Sequence, residues 1–136
     1  MAALVIDASV AISAVLHEDD AEHARSVLMR VSEAGALVPG LWHLEVGQTL
    51  LVAERRRRID RARRVEIQAL LLDLPVTVDP ETAAHALRDT ALLAERHGLT
   101  LYDAAYLELS LRRGVKLATF DRDLRRAATE VGVALA

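Results

Sequence analysis

The chain of 136 residues is long enough for one domain that buries roughly two thirds of its unfolded surface, and no second domain is expected. Hydrophobic residues make up 52% but aromatics only 3%, so the core must be mostly Leu, Val and Ala, a composition that suits helices packed on a small sheet. The absence of cysteine excludes disulfides, thiolate metal sites and thiol nucleophiles together, and 20 acids against 17 bases, a net charge of −3, argue against a protein that coats nucleic acid by bulk positive charge.

In chain order, Leu4-Val5-Ile6 is a short branched run that stops at Asp7, as a buried parallel strand does. Residues 8–16 then carry apolar positions at helical spacing and end in the acidic turn 17–20, with Asp20 a candidate cap for a helix over 21–33 that Gly35 closes. Residues 36–38 form a brief strand before Pro39-Gly40. A strongly apolar helix is expected over 41–56, and a second over 58–72 as its continuation or its antiparallel partner. Residues 75–78 read as another strand. Asp79-Pro80-Glu81 is a compact helix start, with the acid as N-cap and proline in the first turn, feeding a helix over 82–96 that ends at Gly98. A further helix over 101–113 closes at Gly114. Lys116-Leu117-Ala118-Thr119-Phe120 then repeats the grammar of the amino terminus, an apolar run stopped by Asp121 and followed by a helix, and 133–135 make a last short strand. Two runs stopped by acids predict two strands side by side, and the alternation of strands and helices predicts an α/β fold whose mainly parallel sheet is flanked by helices on both faces.

No apolar stretch approaches the roughly 20 residues that span a bilayer, and the amino terminus lacks a signal peptide's basic region and cleavage site, so the cytoplasm is the expected location. One local exception to the acidic balance stands out. Arg55, Arg56, Arg57, Arg58, Arg61, Arg63 and Arg64 are opposed inside their window only by Asp60. Such a patch reads either as a solvated helix face or as a set of phosphate contacts.

The chemistry resides in acids. Glu45 falls in or beside the apolar stripe of its helix, where an unpaired carboxylate is costly. Asp103 begins another helix among Leu101, Tyr102, Ala104 and Ala105. Asp7 and Asp121 taken singly read as N-caps, but capping does not explain why all four acids are expected at one edge of one sheet. Four converging carboxylates repel one another unless a cation neutralises them or some take up protons. An oxygen-rich, cysteine-free set suits Mg²⁺ or Mn²⁺, which activates water and neutralises charge on a phosphodiester. The five histidines show no zinc spacing, and His43 is the one near Glu45 in sequence.

Ile6-Asp7-Ala8-Ser9, the Glu45 helix, Leu101-Tyr102-Asp103-Ala104-Ala105-Tyr106 and Thr119-Phe120-Asp121-Arg122-Asp123 together resemble the motifs of PIN-domain ribonucleases, specifically VapC-type toxins of toxin–antitoxin systems, over essentially the whole chain, 1–136. The resemblance implies an acidic quartet, Asp7, Glu45, Asp103 and Asp121, that binds Mg²⁺ or Mn²⁺ and hydrolyses RNA, with Ser9 and Thr119 as supporting hydroxyls. It also implies a homodimer silenced by a cognate VapB-type antitoxin. Two departures from the family pattern are Gln48, where many members carry asparagine, and Asp123, which either joins the metal site or occupies the first turn of the last helix, the reading favoured here. On this view Arg55, Arg56, Arg57, Arg58, Arg61 and Arg64 are candidates to steer RNA. Alternatives are an RNA-processing nuclease of the same fold that is not a toxin, a PIN-like binding module without catalysis, and, from a different class, a phospho-acceptor signalling domain using Asp79.

Overall fold

The computed structural model describes residues 4–136. Its centre is a four-stranded, all-parallel sheet in the order β3-β2-β1-β4, made of β1 (Leu4–Ile6), β2 (Ala36–Val38), β3 (Val76–Val78) and β4 (Lys116–Ala118). β1 pairs with β4 through Leu4↔Lys116, Val5↔Leu117 and Ile6↔Ala118, as the repeated run-then-acid grammar predicts. The strands are only three residues long, so a few ladder bonds at about 1 kcal/mol each cannot hold them. Burial does more. Leu4, Val5 and Ile6 are all wholly inaccessible to solvent, and each such side chain contributes about 1.5–3 kcal/mol. The branched, non-alternating composition of β1 is what a strand covered on both faces requires.

The helices are α1 (Ala8–Val15), α2 (Ala21–Ala34), α3 (Trp42–Arg55), α4 (Arg61–Leu72), α5 (Thr82–His85), α6 (Ala91–His97), α7 (Leu101–Arg113) and α8 (Arg122–Glu130). Among the described residues none is long and apolar enough to cross a membrane. From β1 the chain steps outward through β2 to β3, then returns to place β4 on the other side of β1. The strand order therefore reverses between β1 and β4. At such a switch point the loops leaving the carboxyl ends diverge and open a crevice.

Several expected elements differ in detail. The arginine-rich stretch breaks at a turn over 56–60, where Arg57 has φ 60°, and α4 begins only at Arg61, with the Asp60 carboxylate accepting the Arg63 N–H at 2.7 Å. α4 is thus the antiparallel partner of α3: Glu54 pairs with Arg64 beside the turn, while Trp42, at the far end of α3, shares a cavity wall with Leu71 and Leu72. The helix expected over 82–96 is broken by a kink between α5 and α6, where Arg88 has non-helical backbone angles of φ −119°, ψ −110°. Across the kink Thr90 is buried and Leu87 is exposed. The strand expected over 133–135 is a single bridge, Leu117↔Leu135.

The two predicted caps fare differently. Asp20 precedes α2 without a side-chain cap bond. Asp79 holds the Glu81 N–H and the Thr82 hydroxyl at its helix start, ahead of α5, and its oxygens also take the Arg112 guanidinium, at 2.6 and 3.1 Å. Burial raises the Asp79 carboxyl, but the Arg112 bond, the Glu81 backbone N–H and the Thr82 hydroxyl outweigh it and hold the group below the usual range.

Candidate active site

Asp7 directly follows β1, and its N–H continues the ladder to the Ala118 carbonyl at 2.9 Å. Its side chain caps α1 by accepting the Ser9 N–H, so the capping role is real. It does not exhaust the residue. Oδ2 also accepts from Ser9 Oγ at 3.1 Å and from Thr119 Oγ1 at 2.5 Å. Those hydroxyls in turn accept the N–H groups of Phe120, at 3.1 Å, and Asp121, at 3.0 Å. This is why β4 stops at Ala118 rather than running on to Phe120: the backbone beyond it is hydrogen-bonded to the Asp7 cluster. Asp121 caps α8 through Leu124 N–H at 2.8 Å.

Asp7, Glu45, Asp103 and Asp121, delivered by β1, α3, α7 and the β4–α8 junction, line one open cleft of about 330 Å³. The field inside it is strongly negative. Asp7 is 5% exposed, and burial pushes its carboxyl up; the Thr119 and Ser9 bonds oppose that, and Asp121 adds repulsion. Burial likewise raises Glu45, opposed by the Tyr106 hydroxyl and reinforced by Asp7. Asp103 is pushed up to about 6, first by burial and then by repulsion from Asp121 and Asp7, with Glu45 adding to it. Tyr106 donates its phenolic proton to Glu45 Oε1 at 2.5 Å, and burial and that bond keep the phenol protonated far above its ordinary range.

Among the described residues, no three Asp, Glu or His side chains are gathered closely enough to hold a metal ion as they stand. The donor chemistry still fits a hard dication: every candidate donor is an oxygen, and three of the four acids are protonated more readily than usual.

The other expected residues divide. Ser9 lines the cleft, Thr119 reaches Asp7 from behind, and Arg58 is the only base lining the cleft among the described residues. Arg55, Arg56, Arg57 and Arg61 are exposed away from it, and Arg64 is committed to Glu54 and Gln68. The patch therefore does not act as one surface toward the acids. Asp123 is exposed in the first turn of α8, 3.9 Å from Arg126, outside the cleft. His43 packs edge-on against Trp42 and faces the α3–α4 cavity. Gln48 is exposed, and its neighbour Thr49 lines the cleft instead. Asp79, the rival phospho-acceptor, sits at the end of the edge strand β3, locked to Arg112 and not among the cleft residues; an arginine already occupies the oxygens that a phosphoryl group would need.

The PIN domain pattern matches residues 4–130. This chain belongs to the PIN domain family. Ribonuclease VapC3 of Pyrobaculum aerophilum is 31% identical to this PIN domain over 121 residues, covering 89% of this chain and 91% of the relative, which places the similarity with VapC-type members. The crystal structure of PAE2754 from Pyrobaculum aerophilum superposes with a TM-score of 0.69 over 93% of this PIN domain and 79% of that chain, at 24% identity, and so shares its fold. Three cleft features of the PIN domain escape sequence reasoning: Tyr106 beneath Glu45, and Thr49 and Glu18 in the wall. Tyr106 had a signal, since it lies three residues after Asp103 and so on the same helix face. Glu18, in an irregular turn, had none.

Proposed function

We propose that this PIN domain is an endoribonuclease that hydrolyses RNA phosphodiester bonds with the help of Mg²⁺ or Mn²⁺, and that it is the toxin of a type II toxin–antitoxin pair. It acts in the cytoplasm as a homodimer and is held silent by a VapB-type antitoxin. The observation that carries the nuclease reading is the delivery of Asp7, Glu45, Asp103 and Asp121 by four separate elements into one cleft with a guanidinium on its rim. Similarity to Ribonuclease VapC3 supports both the RNA substrate and the antitoxin.

Asp7, Glu45, Asp103 and Asp121 would hold the ion, which when bound supplies activation of water and neutralises charge on the phosphate. The Ser9 and Thr119 hydroxyls, together with the α1 cap bond from the Ser9 N–H, fix the rotamer of Asp7. Arg58 lines the same cleft as the acids and offers a planar fork to a phosphate oxygen pair. The exposed arginines beyond it contribute long-range attraction that salt screens.

The test is cleavage of total RNA by the purified protein in MgCl₂, in MnCl₂ and in EDTA, with fragment ends mapped. Discrete products in metal and none in EDTA are expected. Equal cleavage in EDTA overturns the metal dependence, and no cleavage in any buffer overturns the nuclease. Co-purification with the product of the neighbouring reading frame tests the antitoxin. Arg58→Ala is expected to lower the cleavage rate by about tenfold to a hundredfold, whereas Arg61→Ala weakens RNA binding slightly and shallows its salt dependence. Equal effects of the two would remove Arg58 from the cleft chemistry.

A further inference from the structure

Glu45 and Asp103 sit on different helices, α3 and α7, and neither is pinned by a strand as Asp7 is. Glu45 is half-buried and has the longest side chain of the four acids, with the most rotamer freedom to lose when it adopts one geometry. One bond removes much of that freedom. Tyr106, wholly inaccessible to solvent and 61 residues away in sequence, donates its O–H to Glu45 Oε1 at 2.5 Å. A phenol donor to a carboxylate is among the stronger hydrogen bonds. The ring is packed in the core, so the donor itself cannot wander. Tyr106 also lies on the helix that carries Asp103, so the bond ties α3 to α7 at the level where both present their acids.

We infer that Tyr106 is a positioning residue for the cation site: it touches neither RNA nor ion, and by holding Oε1 of Glu45 it sets how tightly the cleft takes a dication. The inference rests on the proposed metal role of Glu45 and deepens it. A purely structural role, satisfying a buried hydroxyl, makes different predictions.

The experiment uses the full chain and Mn²⁺ alone, titrated calorimetrically, with melting of the metal-free protein as a separate readout. Tyr106→Phe keeps the ring and its packing. It is expected to weaken Mn²⁺ binding by about tenfold, the usual cost of losing a ligand's supporting partner, and to slow RNA cleavage at limiting Mn²⁺ with recovery at high Mn²⁺. Glu45→Asp breaks the same bond from the half-buried side without touching the core, and is expected to weaken Mn²⁺ binding at least as much, because it also draws back a carboxylate that would hold the ion. In the Glu45→Asp background, Tyr106→Phe adds nothing further if the bond is the link between them. Wild-type Mn²⁺ affinity in Tyr106→Phe, or a lowered melting temperature as its only effect, overturns the inference. So does full additivity of the two substitutions. Absence of Mn²⁺ binding by the wild-type protein overturns it together with the metal reading, and is told apart from the other failures by the wild-type titration itself.

Discussion

Asp7→Asn is expected to reduce RNA cleavage by about a thousandfold, the order of loss seen when a charge-stabilising group is deleted from a desolvated site, while the protein remains folded. The two halves of this expectation have different origins. Asparagine is as good an N-cap as aspartate, has the same shape, and keeps an oxygen for the Ser9 N–H or for the Ser9 and Thr119 hydroxyls. It also removes a buried charge whose protonated form the fold favours. Metal-free melting should therefore match or exceed that of the wild type, within about 1 kcal/mol of the ordinary cost of one rearranged hydrogen bond. What is lost is the negative charge at the floor of the cleft. Undiminished cleavage by the purified variant would remove Asp7 from the mechanism, and an unfolded variant would make it a structural residue.

Stability of the metal-free protein should fall as pH rises from about 4 to about 7, the reverse of the usual acid behaviour. Asp7, Glu45 and Asp103 are all raised in the folded state, so in this window the folded protein binds more protons than the unfolded chain. Raising the pH then favours unfolding. For Asp103 alone, the interval from 3.8 to about 6 corresponds to at most about 3 kcal/mol, and screening in the open cleft reduces it toward about 1 kcal/mol. Asp79 does not interfere. Its carboxyl is lowered, so its contribution is intact above the unfolded value of 3.8 and is lost only as pH falls below it. Saturating Mn²⁺ should flatten the slope and raise the melting temperature at pH 7, because a ligand that binds only the folded state stabilises it by mass action. Melting in EDTA and in Mn²⁺ between pH 4.5 and 7.5 checks both. A metal-free protein that gains stability with pH across that range would mean that the four acids do not share a field.

Much of this site was legible because the fold repeats a local rule. Strands short and apolar enough to be buried must end at the polar edge of the sheet, so the residue after each run marks that edge. Asp7 and Asp121 follow directly, and β1 beside β4 follows from their likeness. The gaps are non-local. That Asp79 also pairs with Arg112, 33 residues on, depends on a guanidinium that no short window contains. The same holds for Tyr106 and Glu45. The arginine patch misleads in a different way. Charge density in sequence looks like a single surface, but beyond the turn at Arg57 only Arg58 of the patch lines the cleft. The break at Arg88 had no visible cause in residue types, since Ala86, Leu87 and Arg88 are all good helix formers.

The pairing of β1 with β4 has a consequence for biosynthesis. The floor of the cleft follows β1, but the strand that buttresses it is β4, and the hydroxyl that orients it belongs to Thr119, 112 residues further along the chain. A nascent chain still lacking Thr119 and Asp121 cannot assemble the pocket, however well its earlier helices have condensed. The pocket therefore takes shape only when β4 has docked beside β1, a long-range contact rather than a local one.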